Sequence, residues 1–136
     1  MIIPKLLFYL DDDVEDLKYF KELAEKLGHR VSIFATSNDM FYALKHQLEK
    51  PVMIFLDVHM PVLNGEAILN LIKKSAYKHI PIVMISGIDS KKMMQNYLEI
   101  GANSLIEKPV NDDLIQVLEQ VLEIDFKADP NKFYVL

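Results

Sequence analysis

The stretch that decides the fold is PVMIFLDVHMPVLNG, residues 51–65. Its run Val52, Met53, Ile54, Phe55 and Leu56 is apolar without alternation, which suits a strand buried on both faces of a parallel sheet. The run stops at an acid, Asp57, and a helical pattern begins after Asn64 and Gly65.

The same grammar repeats on either side. Short apolar runs at 5–10, 31–34, 82–85 and 104–106 read as further strands. Longer amphipathic stretches lie between them. Val14, Leu17, Phe20, Ala24 and Leu27 recur at helical spacing, and Gly28 follows as a stop. A second helix covers about 38–48 and breaks at Pro51. The third carries Ile68, Leu69, Leu71 and Ile72 mainly on one side, and the fourth runs over about 91–100 to Gly101. The fifth follows Pro109, with Val110, Leu114, Val117, Leu118 and Val121 on one face. Five such alternations predict an α/β domain: a doubly wound, five-stranded parallel sheet with helices on both faces, in the flavodoxin-like order 2-1-3-4-5.

The predicted domain spans residues 1–125, and 126–136 form a tail. The tail, FKADPNKFYVL, reads as a frayed terminus, with docking of Phe133 and Tyr134 as the alternative. A length of 136 residues suits one domain with a real core. The formal charge of −5 argues against a nucleic-acid binder, which carries a basic face. Without cysteine there is no disulfide, thiol chemistry or cysteine-ligated zinc site. The apolar start of the chain is too short, and too quickly followed by acids, for a signal peptide or a membrane span. A cytoplasmic location is therefore expected.

In a sheet of this order, ligands bind at the carboxyl ends of the strands. The first strand ends in Asp11, Asp12 and Asp13, the third in Asp57, the fourth in Ser86 and the fifth in Glu107 and Lys108. Four neighbouring strands thus deliver carboxylates, a hydroxyl and an ammonium to one pole. Clustered carboxylates repel one another unless a cation sits among them, and this all-oxygen set suits Mg²⁺ better than a transition metal. The ammonium can neutralise phosphate charge and the hydroxyl can donate to a phosphoryl oxygen. Together they describe an aspartate nucleophile in metal-assisted phosphoryl transfer. Each residue alone has a plainer reading: Asp11–Asp13 as an acidic helix cap, Asp57 and Ser86 as turn residues, Lys108 as a solvated lysine. Their conjunction at one pole outweighs these.

The motifs LFYLDDDVED, MIFLDVHMPVLNG, IVMISG and LIEKPV resemble those of the receiver domain of bacterial two-component response regulators, over about residues 3–125. The resemblance implies that Asp57 accepts phosphate, as 4-aspartylphosphate, from a phosphohistidine of a sensor histidine kinase or a histidine phosphotransfer protein. It implies Mg²⁺ held by Asp12 directly, by Asp11 through water, by Asp57 and by the backbone carbonyl of His59. Asp13 takes the variable place after the pair, with a one-residue ambiguity in the three-acid run. Ser86 would turn toward the phosphoryl group and Lys108 would pair with it. Pro109 matches a proline usually preceded by a cis bond. Output would be a downstream protein bound through the face made by the fourth helix, fifth strand and fifth helix, or relay of phosphate to a histidine phosphotransfer partner, with a homodimer left open. No output domain, nucleic acid or membrane is expected, and the chain is read as a stand-alone phosphoacceptor, not an enzyme.

Two positions depart from the family pattern. Leu105 stands where an aromatic often reports activation, and Ile88 is apolar where polar residues are also frequent. Ile88 and His59 lie near the path of hydrolytic water. The stripe Met93, Met94, Tyr97 and Leu98 reads as core, with a partner-binding face as the alternative. Three other functions fit less well. An aspartate-nucleophile phosphatase would want an acid where His59 stands, a flavin phosphate would be repelled by Asp11–Asp13, and a degenerate receiver has only Leu105 in its favour.

Overall fold

The computed structural model describes residues 3–60, 64–87, 91–108, 113–128 and, as backbone, 134–135. The apolar runs form β1 (Leu6–Leu10), β2 (Arg30–Phe34), β3 (Met53–Asp57), β4 (Ile82–Ser86) and β5 (Ser104–Glu107). Between and after them lie α1 (Val14–Lys26), α2 (Ser37–His46), α3 (Gly65–Lys73), α4 (Lys91–Ile100) and α5 (Leu114–Glu123). All strand pairings are parallel, in the order β2-β1-β3-β4-β5.

The unbroken apolar runs are the central strands. Every residue of β1, β3 and β4 is buried, whereas β2 is partly exposed at the edge. Side chains alternate across the sheet. Leu6, Phe8 and Leu10 pack with Met40, Ile68, Ile72 and Tyr97 under α2, α3 and α4. Leu7 and Tyr9 pack with Phe20, Leu23, Leu118 and Val121 under α1 and α5. Leu105 is buried in the first of these layers, so it points inward like the aliphatic residues around it. Tyr97 is buried as well, Met93 and Met94 are partly so, and Leu98 is exposed, which makes the α4 stripe mainly core. Val14 and Leu71, grouped by periodicity with the apolar faces, are exposed.

A short strand, β6 (Tyr134–Val135), extends the sheet beyond the five expected strands by pairing parallel with β5. Phe126 is buried in the layer under α1 and α5. The segment after α5 is thus tied down at these two places. Pro61, Ile88, Pro109, Val110 and Phe133 lie outside the described residues. No helix among the described residues is long and apolar enough to cross a membrane.

Candidate functional site

Parallel pairing brings the ends of β1, β3, β4 and β5 level. Leu10 is in register with Leu56, Asp57 with Ile85, and Ser86 with Glu107. The residues that follow each strand therefore meet at one pole, as strand order predicted.

The three-acid run divides its labour there. Asp13 is the N-cap of α1, accepting from the backbone N–H groups of Glu15 and Asp16. Asp11 is buried, Asp12 is exposed, and both precede the cap. Oxygens of Asp11, Asp12 and Asp57 lie within 4.8 Å of one another. Asp11 is fixed from two sides: its Oδ1 accepts from the Asp13 amide at 3.0 Å, and its Oδ2 accepts from the Tyr9 hydroxyl. Burial and the adjacent Asp11 push the Tyr9 phenol far up, so that hydroxyl stays a donor.

Asp57, at the end of β3, is 2% exposed. Burial and Asp11 raise its carboxyl from 3.8 to about 6 against the opposing pull of Lys108. The Lys108 ammonium is 3.3 Å from Asp57 Oδ1, 3.3 Å from Asp11 Oδ2 and 3.1 Å from Asp16 Oδ2. Burial alone would pull Lys108 down; Asp11, Asp16 and Asp57 outweigh it and hold the group firmly cationic. Ser86 is fully buried, and its hydroxyl has no hydrogen-bond partner among the described residues. The His59 amide points at Asp57 Oδ1 from 3.4 Å, and its side chain is exposed beside the pole.

Gly65 closes the loop that follows β3. Its amide donates to the Val58 carbonyl at 2.9 Å, and a Cβ there would sit 2.4 Å from the Asp57 carbonyl oxygen. Only glycine permits this approach. Asn64 caps α3 by accepting from the Ala67 amide. A cleft of about 510 Å³ opens over this loop, lined by Asp12, His59, Met60, Asn64, Glu66 and Met93 among others.

The donor set fits a hard divalent cation: carboxylate oxygens only, one of them solvent-facing on Asp12. Two residues at the pole were missing from the sequence reading. Tyr9 was signalled by strand alternation, since residues two apart share a face and Asp11 follows at that interval. Asp16 was signalled by its place four residues before Phe20, on the stripe of α1 that faces the sheet.

Comparison with known proteins follows the same lines. The family model described as the response regulator receiver domain matches residues 7–119. The transcriptional regulatory protein CpxR homolog of Haemophilus influenzae is 34% identical over 119 residues, covering 85% of this chain and 49% of that protein. The transcriptional regulatory protein CrdR of Helicobacter pylori is 26% identical over 134 residues, covering 97% of this chain and 62% of that protein. The chain thus spans about half to three-fifths of these relatives' length. In fold, it is similar to the chemotaxis protein CheY4 of Vibrio cholerae, with a TM-score of 0.75 at 24% identity over 88% of this chain and 99% of that one.

Proposed function

The chain belongs to the response regulator receiver domain family, and from that premise we propose that Asp57 is its phosphoryl acceptor and that Asp11, Asp12, Asp57 and the His59 carbonyl hold Mg²⁺. The observation that carries this reading is the setting of the Asp57 carboxylate, buried yet paired with the Lys108 ammonium at 3.3 Å, within a three-acid cluster.

The donor is a phosphohistidine of a sensor kinase or phosphotransfer protein. A carboxylate oxygen of Asp57 attacks phosphorus, the phosphorus–nitrogen bond breaks, and the imidazole leaves with its electron pair and takes up a proton. Bound Mg²⁺ supplies positive charge to the transferring oxygens. Lys108 offsets the charge of about −2 that the phosphoryl group brings at neutral pH. Ser86 gains an acceptor for its buried hydroxyl, worth about 1–3 kcal/mol if it is otherwise unsatisfied. That gain arises only with the phosphoryl group present, so it biases the ends of β4 and β5, at Ser86 and Lys108, toward one arrangement.

The output is a protein contact on α4, β5 and α5, or onward relay of phosphate to a histidine. The chain works as a switch that assists its own phosphorylation and hydrolysis, not as an enzyme turning over an external ester. Incubation with a small acyl-phosphate donor and Mg²⁺, followed by intact mass measurement, tests this. One added phosphate is expected, absent from Asp57→Asn and absent without metal. No mass gain from any donor would sink the reading.

A further inference from the structure

The Lys108 ammonium has three donors and three carboxylates around it. Two of these, Asp11 and Asp57, lie on strand ends and are buried. The third, Asp16, stands in the first turn of α1 and makes the shortest of the three contacts, 3.1 Å. It is anchored there by helix geometry: its amide donates to the capping Asp13 at 3.2 Å, and Phe20 one turn later is buried in the core. Asp16 therefore comes to Lys108 from the flank of the pole, on a helix already pinned at both of these points.

We propose that Asp16 is a positioning residue that holds Lys108 in the resting state and competes with the phosphoryl group for it. This rests on the reading of Asp57 as acceptor. A phosphoryl group on Asp57 recruits Lys108, and each contact it gains there is set against the one to Asp16. Asp16 also keeps one unit of negative charge beside an anion site, which disfavours the phosphorylated state. With Asp11 and Asp57 indispensable to metal and phosphate, Asp16 is the one acid of the three whose charge can vary without dismantling the site. It thus acts as a set-point on how strongly phosphorylation is held.

The consequence has opposite signs for two ligands. Loss of the Asp16 charge strengthens binding of an anionic phosphoryl mimic and weakens binding of a bare cation. A global packing defect would weaken both. One unit of charge at a half-buried site is worth roughly tenfold in affinity.

The test titrates wild type, Asp16→Asn and Asp16→Glu with beryllofluoride at saturating Mg²⁺, read by fluorine resonance of the bound mimic. A parallel calorimetric titration uses Mg²⁺ alone. Asp16→Asn is expected to bind beryllofluoride roughly tenfold more tightly and Mg²⁺ a few-fold more weakly. Asp16→Glu, which restores the charge, is expected to return both toward wild type. Equal or weaker mimic binding by Asp16→Asn overturns the proposal while leaving the acceptor reading intact. Failure of the wild-type chain to bind the mimic at all overturns both.

Discussion

The backbone amide of Lys108 donates to the carbonyl of Ser86 at 2.6 Å. This bond joins the ends of β4 and β5, so the hydroxyl and the ammonium on which the phosphoryl group would draw are carried on one hydrogen-bonded unit. A shift at either strand end is therefore expected to move both.

Ser86→Ala separates function from stability. The wild-type hydroxyl is buried without a partner among the described residues, so its removal relieves a desolvation cost. The variant is expected to be as stable as wild type or more so, by up to about 1 kcal/mol, and to hold beryllofluoride more weakly. Urea melts and mimic titration check the pair. A clear loss of stability would show that the hydroxyl is already satisfied.

Gly65→Ala puts a methyl group 2.4 Å from the Asp57 carbonyl oxygen and 2.8 Å from the Val58 Cα. Both are backbone atoms at the end of β3 and cannot swing aside. Overpacking of this kind costs about 1–3 kcal/mol. Denaturation midpoints should fall accordingly, and phosphorylation should slow if Asp57, displaced by this clash, is the acceptor as proposed.

Asp57→Asn gives a pH signature in metal-free protein. The folded carboxyl titrates near 6 and the unfolded one near 3.8. Between those values the folded chain binds the proton and the unfolded chain does not, so this group's contribution to stability falls as pH rises through the window. Above it the penalty is constant. Asp57→Asn is therefore expected to be more stable than wild type at pH 7 by up to about 3 kcal/mol, with the gap closing toward pH 4. A gap that holds or widens in acid would contradict the burial account.

Tyr9→Phe deletes the hydroxyl that donates to Asp11 Oδ2 while keeping the ring against Phe20. Groups that orient a metal-binding carboxylate typically matter about 10-fold or more in affinity. Mg²⁺ binding by calorimetry should weaken by about that factor, with the fold intact by circular dichroism. Unchanged affinity would mean that the Asp13 amide and the Lys108 ammonium suffice to orient Asp11.

Most of the fold was legible because its signals are local. Unalternated runs marked β1, β3 and β4, and caps and glycines marked helix ends, so strand order placed Asp11, Asp57, Ser86 and Lys108 at one pole. What escaped depended on contacts across elements. Spacing puts Asp16 on the sheet-facing stripe of α1, but nothing in its neighbours announces Lys108, distant in sequence. Tyr9 looked like core because its ring is core and only its hydroxyl is not. Val14 and Leu71 fit an apolar stripe by spacing yet lie at its margin, where exposure is set by neighbouring elements. β6 has two residues, too few for a periodic pattern, and only pairing with Ser104 and Leu105 defines it.

That pairing has a mechanical consequence. Lys108 follows β5 directly, and β5 carries Tyr134 and Val135 on its outer edge. The backbone that leads into Lys108 is also the template for the last strand of the sheet. A displacement of Lys108 is therefore expected to be felt, four residues back along β5, at a lateral pairing with another part of the chain. Amide hydrogen exchange at Tyr134 and Val135 is expected to change when the proposed site at Asp57 is loaded, and an unchanged rate would show that β6 is decoupled from the pole.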